Sequence, residues 1–344
     1  MKPADGGAWA LTCEDLRFTY RGAATPALDG VSLRVPANRF VGVVGRGGAG
    51  KSTLLRCCNR IIPEFFHGDL QGEIRILGET TGGRRVHQMA RRVGMVFQDF
   101  DAQLFSSTVE LEVGFGPEQF GADPEELRRR VSRYLAMTGL EQYQGRDPAR
   151  LSGGEKQRLV IASVLAMETP VILLDEPTTD LDPVGRRQVW DLIRSLSGTG
   201  TAVIAAVHDT EVLENCSEIF VLSGGRVAFR GQPAEVLTRF EELQELGIAA
   251  PPLARIASIL TDEPSLPGSP EECRELIERR DIRPSPGLHL EFQKRESTGS
   301  PDPRPEILRL QEVSFSYPDG PRALEAIDLA VGEGEFLALL GSNG

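Results

Sequence analysis

A glycine-rich stretch, residues 45–52, restricts the fold of this chain more than any other feature of its sequence. It fits the pattern G-x-x-x-x-G-K-[ST], follows the apolar run Phe40–Val44 and leads into the helix-like residues 53–56. A strand, a glycine-rich turn and a helix in this order predict a phosphate-binding loop, because small residues let backbone N–H groups face an anion. The residues expected to surround the phosphates are Gly45, Arg46, Gly47, Gly48, Ala49, Gly50, Lys51, Ser52 and Thr53.

Two side chains of this loop have the chemistry that nucleotide binding needs. We expect Lys51 to reach the β- and γ-phosphate oxygens and the Ser52 hydroxyl to hold Mg²⁺. The alternative is an incidental Lys-Ser after a glycine-rich turn. The spacing and the strand–loop–helix context together argue against that alternative.

The bulk composition is that of an ordinary water-soluble chain. The 344 residues carry a net charge of −12, which argues weakly against a protein whose main partner is nucleic acid. The number of cysteines, five, is odd, and no pair has metal-ligand spacing, so we expect free thiols in a reducing cytosol. No apolar run reaches the roughly 18 residues that a bilayer span requires, so any membrane function is expected to use a partner.

Polar residues follow three apolar segments that read as strands. Gln98 follows residues 93–97, Asp175 and Glu176 follow 171–174, and His208 follows 201–207. At the carboxyl ends of parallel strands, two carboxylates are well placed for Mg²⁺ and for a general base. Gln98 would orient water or Mg²⁺, although a Gln in this position is more often a solvated loop residue. A lone histidine is usually structural, but one at the end of a third apolar strand is a better candidate.

Two other features permit both a structural and a functional interpretation. Ser152 and Glu155 form a capping box, and Gly153 with Gly154 leaves the helix N-terminus open to a second anion. The capping signal alone cannot distinguish that role from a simply capped helix. Tyr20, upstream of the phosphate loop, is either a stacking surface for a nucleobase or a core aromatic.

The C-terminal third contains a helical region and a repeat. Residues 234–260 have helical spacing, 271–280 predict a short charged helix, and 283–305 are rich in Pro, Ser and Gly, as in a flexible linker. Beyond this linker, three segments parallel the N-terminal part of the chain: 308–317 match 11–20, 323–329 match 27–33, and 336–341 match 40–45. We therefore expect a second nucleotide domain to begin here and to be truncated.

Taken together, the motifs resemble the ATP-binding subunits of ABC transporters, in full over residues 11 to about 235 and in part over 308–344. The motifs that carry the resemblance are Tyr20 at the adenine-stacking position, 45–52 as Walker A, Gln98 in the Q-loop, 151–157 as the signature LSGGEKQ, 171–176 as Walker B, 179–182 as the D-loop and His208 as the switch histidine. The resemblance implies an α/β P-loop NTPase fold with a RecA-like core, an antiparallel β subdomain and a helical subdomain.

The same resemblance implies four segments. They are an ABC nucleotide-binding domain over 1–235 with its helical subdomain at about 100–165, a C-terminal helical extension over 236–282, a linker over 283–305, and the start of a second nucleotide-binding domain over 306–344.

A narrower resemblance points to the energy-coupling factor (ECF) and cobalt-transport ATPases. It rests on residues 97–105, 108–110 and 112–118, and on 243–248 with the two following prolines. This resemblance implies an ATPase that energises vitamin or metal-ion import through a transmembrane scaffold subunit and a substrate-binding membrane subunit. Such a protein is cytoplasmic and peripheral on the inner face of the cell membrane. The candidates to meet basic residues of the scaffold are Asp99, Asp101, Glu110 and Glu112, and the alternative for each is an ordinary solvated loop acid.

In this family two nucleotide domains pair head to tail, with ATP between the Walker A loop of one and the signature helix of the other. The partner domain would come from the same parent chain, a second copy or a paralogue. Ser152, Gly153 and Gly154 would contact ATP held by that partner. Asp175, Ser52 and Gln98 would organise Mg²⁺. Glu176 would polarise the attacking water, and His208 would contact the γ-phosphate.

Two alternatives to the transporter remain. The first is a soluble tandem ABC ATPase acting on ribosomes, but such proteins usually carry a long basic helical linker. Here residues 241–305 hold more acids than bases and are interrupted by prolines. The second is a nonfunctional remnant, against which the intact first set of motifs argues.

Overall fold

The computed structural model describes residues 8–179, 181–196, 200–260, 270–279, 305–316 and 322–338. The chain divides into two compact units, Met1–Leu276 and Ile277–Gly344. Among the described residues, no helix combines the length and apolar character that crossing a membrane requires. All five cysteines are buried free thiols, in agreement with the expectation from their number and spacing.

Two sheets make up the β-structure of the first unit. Its strands are β1 (Trp9–Tyr20), β2 (Leu28–Pro36), β3 (Phe40–Val44), β4 (Gly68–Ile76), β5 (Glu79–Thr80), β6 (Val93–Val96), β7 (Val171–Asp175), β8 (Ala202–Val207), β9 (Glu218–Ser223) and β10 (Arg226–Gly231). The larger sheet has the order β10-β9-β3-β8-β7-β6, and the smaller has the order β2-β1-β4-β5.

The larger sheet is parallel except for its edge strand β10. Every residue of β3, β6, β7 and β8 is buried, as in strands that are covered on both faces. Val44 lies beside Val207, and Leu174 lies beside both Ala205 and Val96. The residues that follow these strands therefore meet at one edge of the sheet.

The smaller sheet is antiparallel and packs one face on the core. In β1, Leu16 and Phe18 are fully buried whereas Arg17 between them is exposed, which is the period-two alternation of a half-buried strand. This buried face shares its apolar cluster with Leu54 and Leu55 of the helix that follows the phosphate loop. The smaller sheet therefore supports that helix from one side.

Helices cover the larger sheet and form a separate cluster beside it. The helices of the chain are α1 (Lys51–Cys58), α2 (Ile61–Glu64), α3 (Val86–Met89), α4 (Val109–Gln119), α5 (Pro124–Thr138), α6 (Gly153–Ala166), α7 (Pro183–Ser195), α8 (Pro233–Val236), α9 (Phe240–Glu245), α10 (Pro252–Leu260) and α11 (Pro270–Arg279). Together with the two sheets they confirm the expected fold of a P-loop NTPase with an antiparallel subdomain and added helices.

The start and end of α5 are those that its sequence predicts. The Asp123 carboxylate accepts hydrogen bonds from the backbone N–H groups of Glu125 and Glu126, both at 3.0 Å. The helix ends at Gly139, which has a φ of 66°. A side-chain cap at the start and a left-handed glycine at the end are the usual boundaries of a helix.

The helical character expected for residues 234–260 is confirmed, but it is divided among three helices. The structure divides this region into α8, α9 and α10. Gly247 has a φ of +69°, and the prolines at 251 and 252 follow four residues later. A left-handed glycine ends a helix and a proline begins the next one, so the apolar period continues across a break in the backbone. The short helix predicted at 271–280 is confirmed as α11.

The second unit contains an antiparallel hairpin of β11 (Glu306–Ser316) and β12 (Arg322–Gly332). This hairpin has residues with positive φ at the same positions as the β1–β2 hairpin. Glu312 and Ala326 have φ values of 48° and 46°, and the residues that match them in the repeat, Asp15 and Gly30, have φ values of 47° and 81°. The two hairpins therefore share positions of irregular backbone as well as sequence. The predicted linker lies outside the described residues except for Pro305.

Candidate nucleotide-binding site

The phosphate loop connects β3 to α1 at the carboxyl edge of the larger sheet. Gly50 has a φ of 103°, and a Cβ atom there would lie 2.5 Å from the backbone oxygen of Ala27. A Cβ atom on Gly45 would lie 2.5 Å from the backbone oxygen of Leu222. Both ends of the loop therefore require glycine, because the backbone turns in the left-handed region or passes too close to its neighbours.

Lys51 is buried although it is the first residue of α1. It is 4% exposed, and its Nζ donates hydrogen bonds to the backbone oxygens of Gly45 at 2.8 Å and Arg46 at 3.5 Å. Burial lowers the pKa of Lys51, and the charges of Glu176 and Asp175 oppose that shift. The loop thus curves around the ammonium group of Lys51 and holds it at the centre of the loop.

Ser52 and Asp175 connect α1 to the end of β7. The Ser52 Oγ donates a hydrogen bond of 2.9 Å to Oδ1 of Asp175. Oδ2 of Asp175 is buried and has no hydrogen-bond partner. Burial raises the pKa of Asp175, with the Ser52 hydrogen bond and the Arg56 charge acting in the opposite direction. A buried carboxylate oxygen without a partner, beside a serine hydroxyl, suits a hard divalent cation.

Glu176 lies at the meeting point of several polar groups. Its backbone has a φ of 51°, a conformation that glutamate adopts rarely, and its N–H donates to Ala206 O at 2.9 Å. Oε1 lies 2.5 Å from Nε2 of His208 and 3.8 Å from Nζ of Lys51. The positions predicted from three strand ends and the phosphate loop are thereby brought together.

The other carboxylate oxygen of Glu176 has two further neighbours. Nε2 of the exposed Gln98 donates to Oε2 at 3.4 Å, and Oγ1 of Thr179 donates to the same oxygen at 3.3 Å. The contact of Thr179 is one that the sequence reasoning missed. Its position three residues after Glu176, in a turn closed by Thr179 N–H to Glu176 O at 3.3 Å, was the available signal.

Tyr20 lies next to the first turn of α1. Its hydroxyl and Thr53 Oγ1 share a hydrogen bond of 3.0 Å. Its ring stands edge to face with Phe18, with ring centroids 4.7 Å apart. The tyrosine is therefore half-buried beside one predicted phosphate-binding residue, Thr53.

The signature segment forms the start of α6 with the predicted capping box. Ser152 Oγ accepts the Glu155 N–H at 3.4 Å, and the Ser152 N–H donates to Glu155 Oε2 at 2.8 Å. Ser152 and Gly153 are exposed. In the described part of the chain, no hydrogen bond or ion pair joins this helix start to the phosphate loop. The helix start therefore faces outward.

One of the four acids expected to meet a membrane scaffold is unsuitable for that role. Glu112 is 4% exposed, and its Oε2 accepts the backbone N–H groups of Phe105 at 3.1 Å and Ser106 at 2.8 Å. Asp101 already pairs with Lys156 at 2.8 Å. Asp99 and Glu110 are exposed. The expectation for Glu112 is therefore wrong, because its carboxylate holds the backbone of its own chain.

Within the described residues, no group of three or more His, Cys, Asp or Glu is arranged to hold a metal ion.

This fold, with its glycine-lined loop after β3 and its polar side chains meeting at the carboxyl ends of β6, β7 and β8, is that of an ATP-binding cassette. Comparisons with known proteins agree. The family model described as ABC transporter matches residues 28–179. The energy-coupling factor transporter ATP-binding protein EcfA1 of Methanospirillum hungatei is 38% identical over 252 residues, covering 73% of this chain and 89% of that protein. The chain belongs to the family of ABC transporter ATP-binding proteins.

Two solved structures are similar to the model. The structure of cbiO1 from Clostridium perfringens, described as part of the ABC transporter complex cbiONQ, has a TM-score of 0.62 and 32% identity, covering 74% of this chain and 99% of that chain. The dimeric post-hydrolysis structure of the ATP-binding cassette MJ0796 with ADP and Pi has a TM-score of 0.58 and 28% identity, covering 65% and 98%. The chain spans 58–59% of the length of several curated relatives that match 96–100% of it.

Proposed function

We propose that this chain binds Mg·ATP and hydrolyses it to drive transport through separate membrane subunits. The observation that carries the proposal is the convergence of Lys51, Gln98 and His208 on the carboxylate of Glu176, next to the phosphate loop. Each comes from a different segment of the chain. Such a group of polar side chains has no need to assemble at one sheet edge for stability alone, since the buried ion pair of Lys51 and Glu176 at its centre is costly to form.

The role of each residue follows from its position. Lys51 and the loop N–H groups bind the β- and γ-phosphates, and Tyr20 offers its ring to the adenine. Glu176 orients the attacking water and accepts its proton, while Gln98 and Thr179 fix the carboxylate. His208 is close enough to Glu176 to contact both that carboxylate and the γ-phosphate.

Ser52, Asp175 and Gln98 would hold Mg²⁺. The unpartnered Oδ2 of Asp175 and the adjacent Ser52 hydroxyl supply the oxygen donors that this ion prefers. When bound, Mg²⁺ neutralises charge on the transferred phosphate.

We further propose that the outward-facing start of α6 binds ATP held by a second nucleotide domain. The N–H groups of Gly153 and Gly154 and the Ser152 side chain would face that γ-phosphate, which the helix dipole attracts. The dimeric MJ0796 with ADP and Pi supports this arrangement. The partner domain comes from the same parent chain, a second copy or a paralogue.

Residues 306–344 are proposed as the start of a second nucleotide-binding domain, and residues 1–235, 236–282 and 283–305 as the first domain, its extension and a linker. The repeated sequence and the matching backbone of Glu312 and Asp15 support this organisation. The greater length of the curated relatives agrees with it.

The proposed transporter is of the ECF type, with vitamin or metal-ion uptake through a transmembrane scaffold and a substrate-binding subunit. The chain would lie on the cytoplasmic face of the membrane. The likeness to EcfA1 and to cbiO1 supports this assignment. So do a groove of about 240 Å³ lined in part by Phe105 and Phe115, which are 65% and 42% exposed, and the 54% exposed Leu111 on the same helix as Phe115.

Two measurements test this function. The purified chain should release phosphate from Mg·ATP, and Lys51→Ala should abolish nucleotide binding.

After co-expression with an ECF scaffold subunit, the chain should co-purify with that subunit in detergent. The double variant Leu111→Ala and Phe115→Ala should break the complex. Val184→Ala is the matched control, because Val184 is 62% exposed on α7. Co-sedimentation with ribosomes and no binding to the scaffold would contradict the transport assignment.

A further inference from the structure

The backbone between α9 and α10 passes close to two loops of the proposed nucleotide site. We call residues 246–250 the C-terminal strap. After α9 the N–H of Gly247 donates to Gln244 O at 2.9 Å, and the N–H of Ile248 donates to Leu243 O at 2.8 Å. These two bonds around a left-handed glycine form a tight helix end. They fix the direction in which the strap leaves α9.

Apolar contacts hold the strap against the core. Ile248 is 6% exposed, and Leu243 is fully buried. Both belong to the same buried cluster as Val212 and Leu213, which lie in the turn after His208. We call residues 209–213, which follow His208, the switch turn. The strap and the switch turn pack into the same buried cluster, so a displacement of one changes the packing of the other.

A buried hydroxyl connects the strap to that turn. Thr210 lies two residues after His208 and is 3% exposed. Its Oγ1 donates a hydrogen bond of 2.7 Å to the backbone oxygen of Ala249, and its own backbone oxygen accepts the Leu213 N–H at 3.1 Å. Thr210 thus binds the strap through its hydroxyl and binds the turn after His208 through its backbone oxygen.

The strap also reaches the phosphate loop. A Cβ atom on Gly247 would lie 3.4 Å from Cδ of Arg46, so the Arg46 side chain packs over this glycine. The strap therefore contacts the phosphate loop at one end and the switch turn at the other.

We propose that Thr210 is a positioning residue for ATP hydrolysis, acting through the C-terminal strap. Its bond to Ala249 fixes the turn that places His208 2.5 Å from Glu176 and 3.4 Å from Nζ of Lys51. Loss of that bond lets the histidine move relative to the carboxylate, and small displacements at a reacting centre cost rate. The inference rests on the proposed ATPase function and extends it to the C-terminal extension.

The first test compares three variants in steady-state ATP hydrolysis by the full chain. Thr210→Val should lower kcat roughly tenfold and leave KM for ATP within about twofold, while Thr210→Ser, which keeps the hydroxyl, should restore the wild-type rate. Thr138→Val is the matched control, because the Thr138 hydroxyl is also buried and donates to a backbone oxygen, Tyr134 O at 2.8 Å, within α5. Thr138→Val should keep its kcat.

A kcat for Thr210→Val equal to that of the wild type, or an equal loss in Thr138→Val, would overturn the inference. A wild-type chain that neither binds nor hydrolyses ATP would instead refute the proposed function, so the two failures are distinct. Amide exchange on the unaltered chain covers the case in which Thr210→Val does not fold. Mg·ATP should slow exchange at both 208–213 and 247–250, and slowing confined to 208–213 would refute the role of the strap.

Discussion

The hydroxyl of Ser52 donates a 2.9 Å hydrogen bond to Oδ1 of Asp175, across 123 positions of sequence. This bond joins the first turn of α1 to the end of β7 and leaves Oδ2 of Asp175 buried without a partner. An unpaired buried carboxylate oxygen lowers stability. This oxygen is the one that we propose as a ligand of Mg²⁺.

Asp175→Asn should remove the effect of Mg²⁺ on ATP binding. The amide keeps the volume and the acceptor for Ser52 but loses the negative charge that holds a divalent cation. We expect ATP affinity in Mg²⁺ to fall roughly tenfold or more, while affinity in EDTA stays within about twofold. Calorimetric titrations with and without Mg²⁺ measure both values.

Asp191→Asn is the control for that experiment, because Asp191 is an exposed α7 aspartate paired with Arg194 at 2.8 Å. It should bind Mg·ATP as the wild type does. An undiminished effect of Mg²⁺ in Asp175→Asn would show that the cation is held elsewhere.

Glu176→Gln should retain ATP binding and lose turnover. The amide preserves the shape of the side chain but cannot accept the proton of water, a loss of about 10²–10⁴-fold. Phosphate release and nucleotide titration on the same preparation separate the two effects. Glu218→Gln is the control and should keep its turnover. Glu218 begins β9, so it lies at the amino ends of the parallel strands, away from Glu176 at their carboxyl ends. Turnover within a few-fold of wild type in Glu176→Gln would assign the base to another residue.

The sequence predicted the strand ends and the strand–loop–helix arrangement around residues 45–52, because both depend on local patterns. Wholly apolar runs such as β7 are buried on both faces, and their carboxyl ends meet at one edge regardless of the other details of the fold. The capping box of Ser152 and Glu155 is likewise confined to four residues. The capping box was therefore predicted with the correct residues, and the ends of β6, β7 and β8 to within one residue.

What the sequence did not reveal depends on distant contacts. Glu112 was expected to be a partner for a membrane scaffold, but a turn at Phe105 and Ser106 surrounds its carboxylate with backbone donors. The helical spacing of residues 234–260 continues through Gly247, although α9 ends just before this left-handed glycine. The left-handed conformation of Glu176 is set by the surrounding strands rather than by its own preference.

Ser152→Ala and Asp123→Ala should separate capping from catalysis. Ser152 caps α6 and Asp123 caps α5. Loss of either side chain should lower the free energy of unfolding by about 1 kcal/mol. Only Ser152→Ala should also lower ATP turnover, by roughly tenfold or more, because its hydroxyl is proposed to contact the γ-phosphate. Denaturant unfolding and phosphate release provide the two measurements. Equal turnover in the two variants would leave Ser152 with a capping role alone.

Glu126 should give the fold a pH-dependent stabilisation. Hydrogen bonds from Arg129 and then Arg130 lower its pKa from 4.5 to about 2. Because the folded state favours the charged form, this stabilisation is present above pH 4.5 and is lost as the pH falls toward 2. Glu126→Gln should therefore lower the Tm at pH 7, with a difference from wild type that shrinks in acid.

Unfolding at high ionic strength provides the control for the Glu126→Gln comparison. The ion pairs face solvent, so high ionic strength at pH 7 should also shrink the difference in Tm. A constant difference between pH 2 and pH 7 would show that the substitution acts through packing.

The most direct measurement is a crystal structure of the Glu176→Gln chain with Mg·ATP. We predict a triphosphate against residues 45–53, with Mg²⁺ bound by Ser52 and approached by Asp175 and Gln98. Ser152 and Gly154 of a second nucleotide domain should contact the γ-phosphate. A nucleotide bound away from Lys51, or Mg²⁺ remote from Ser52 and Asp175, would contradict this prediction.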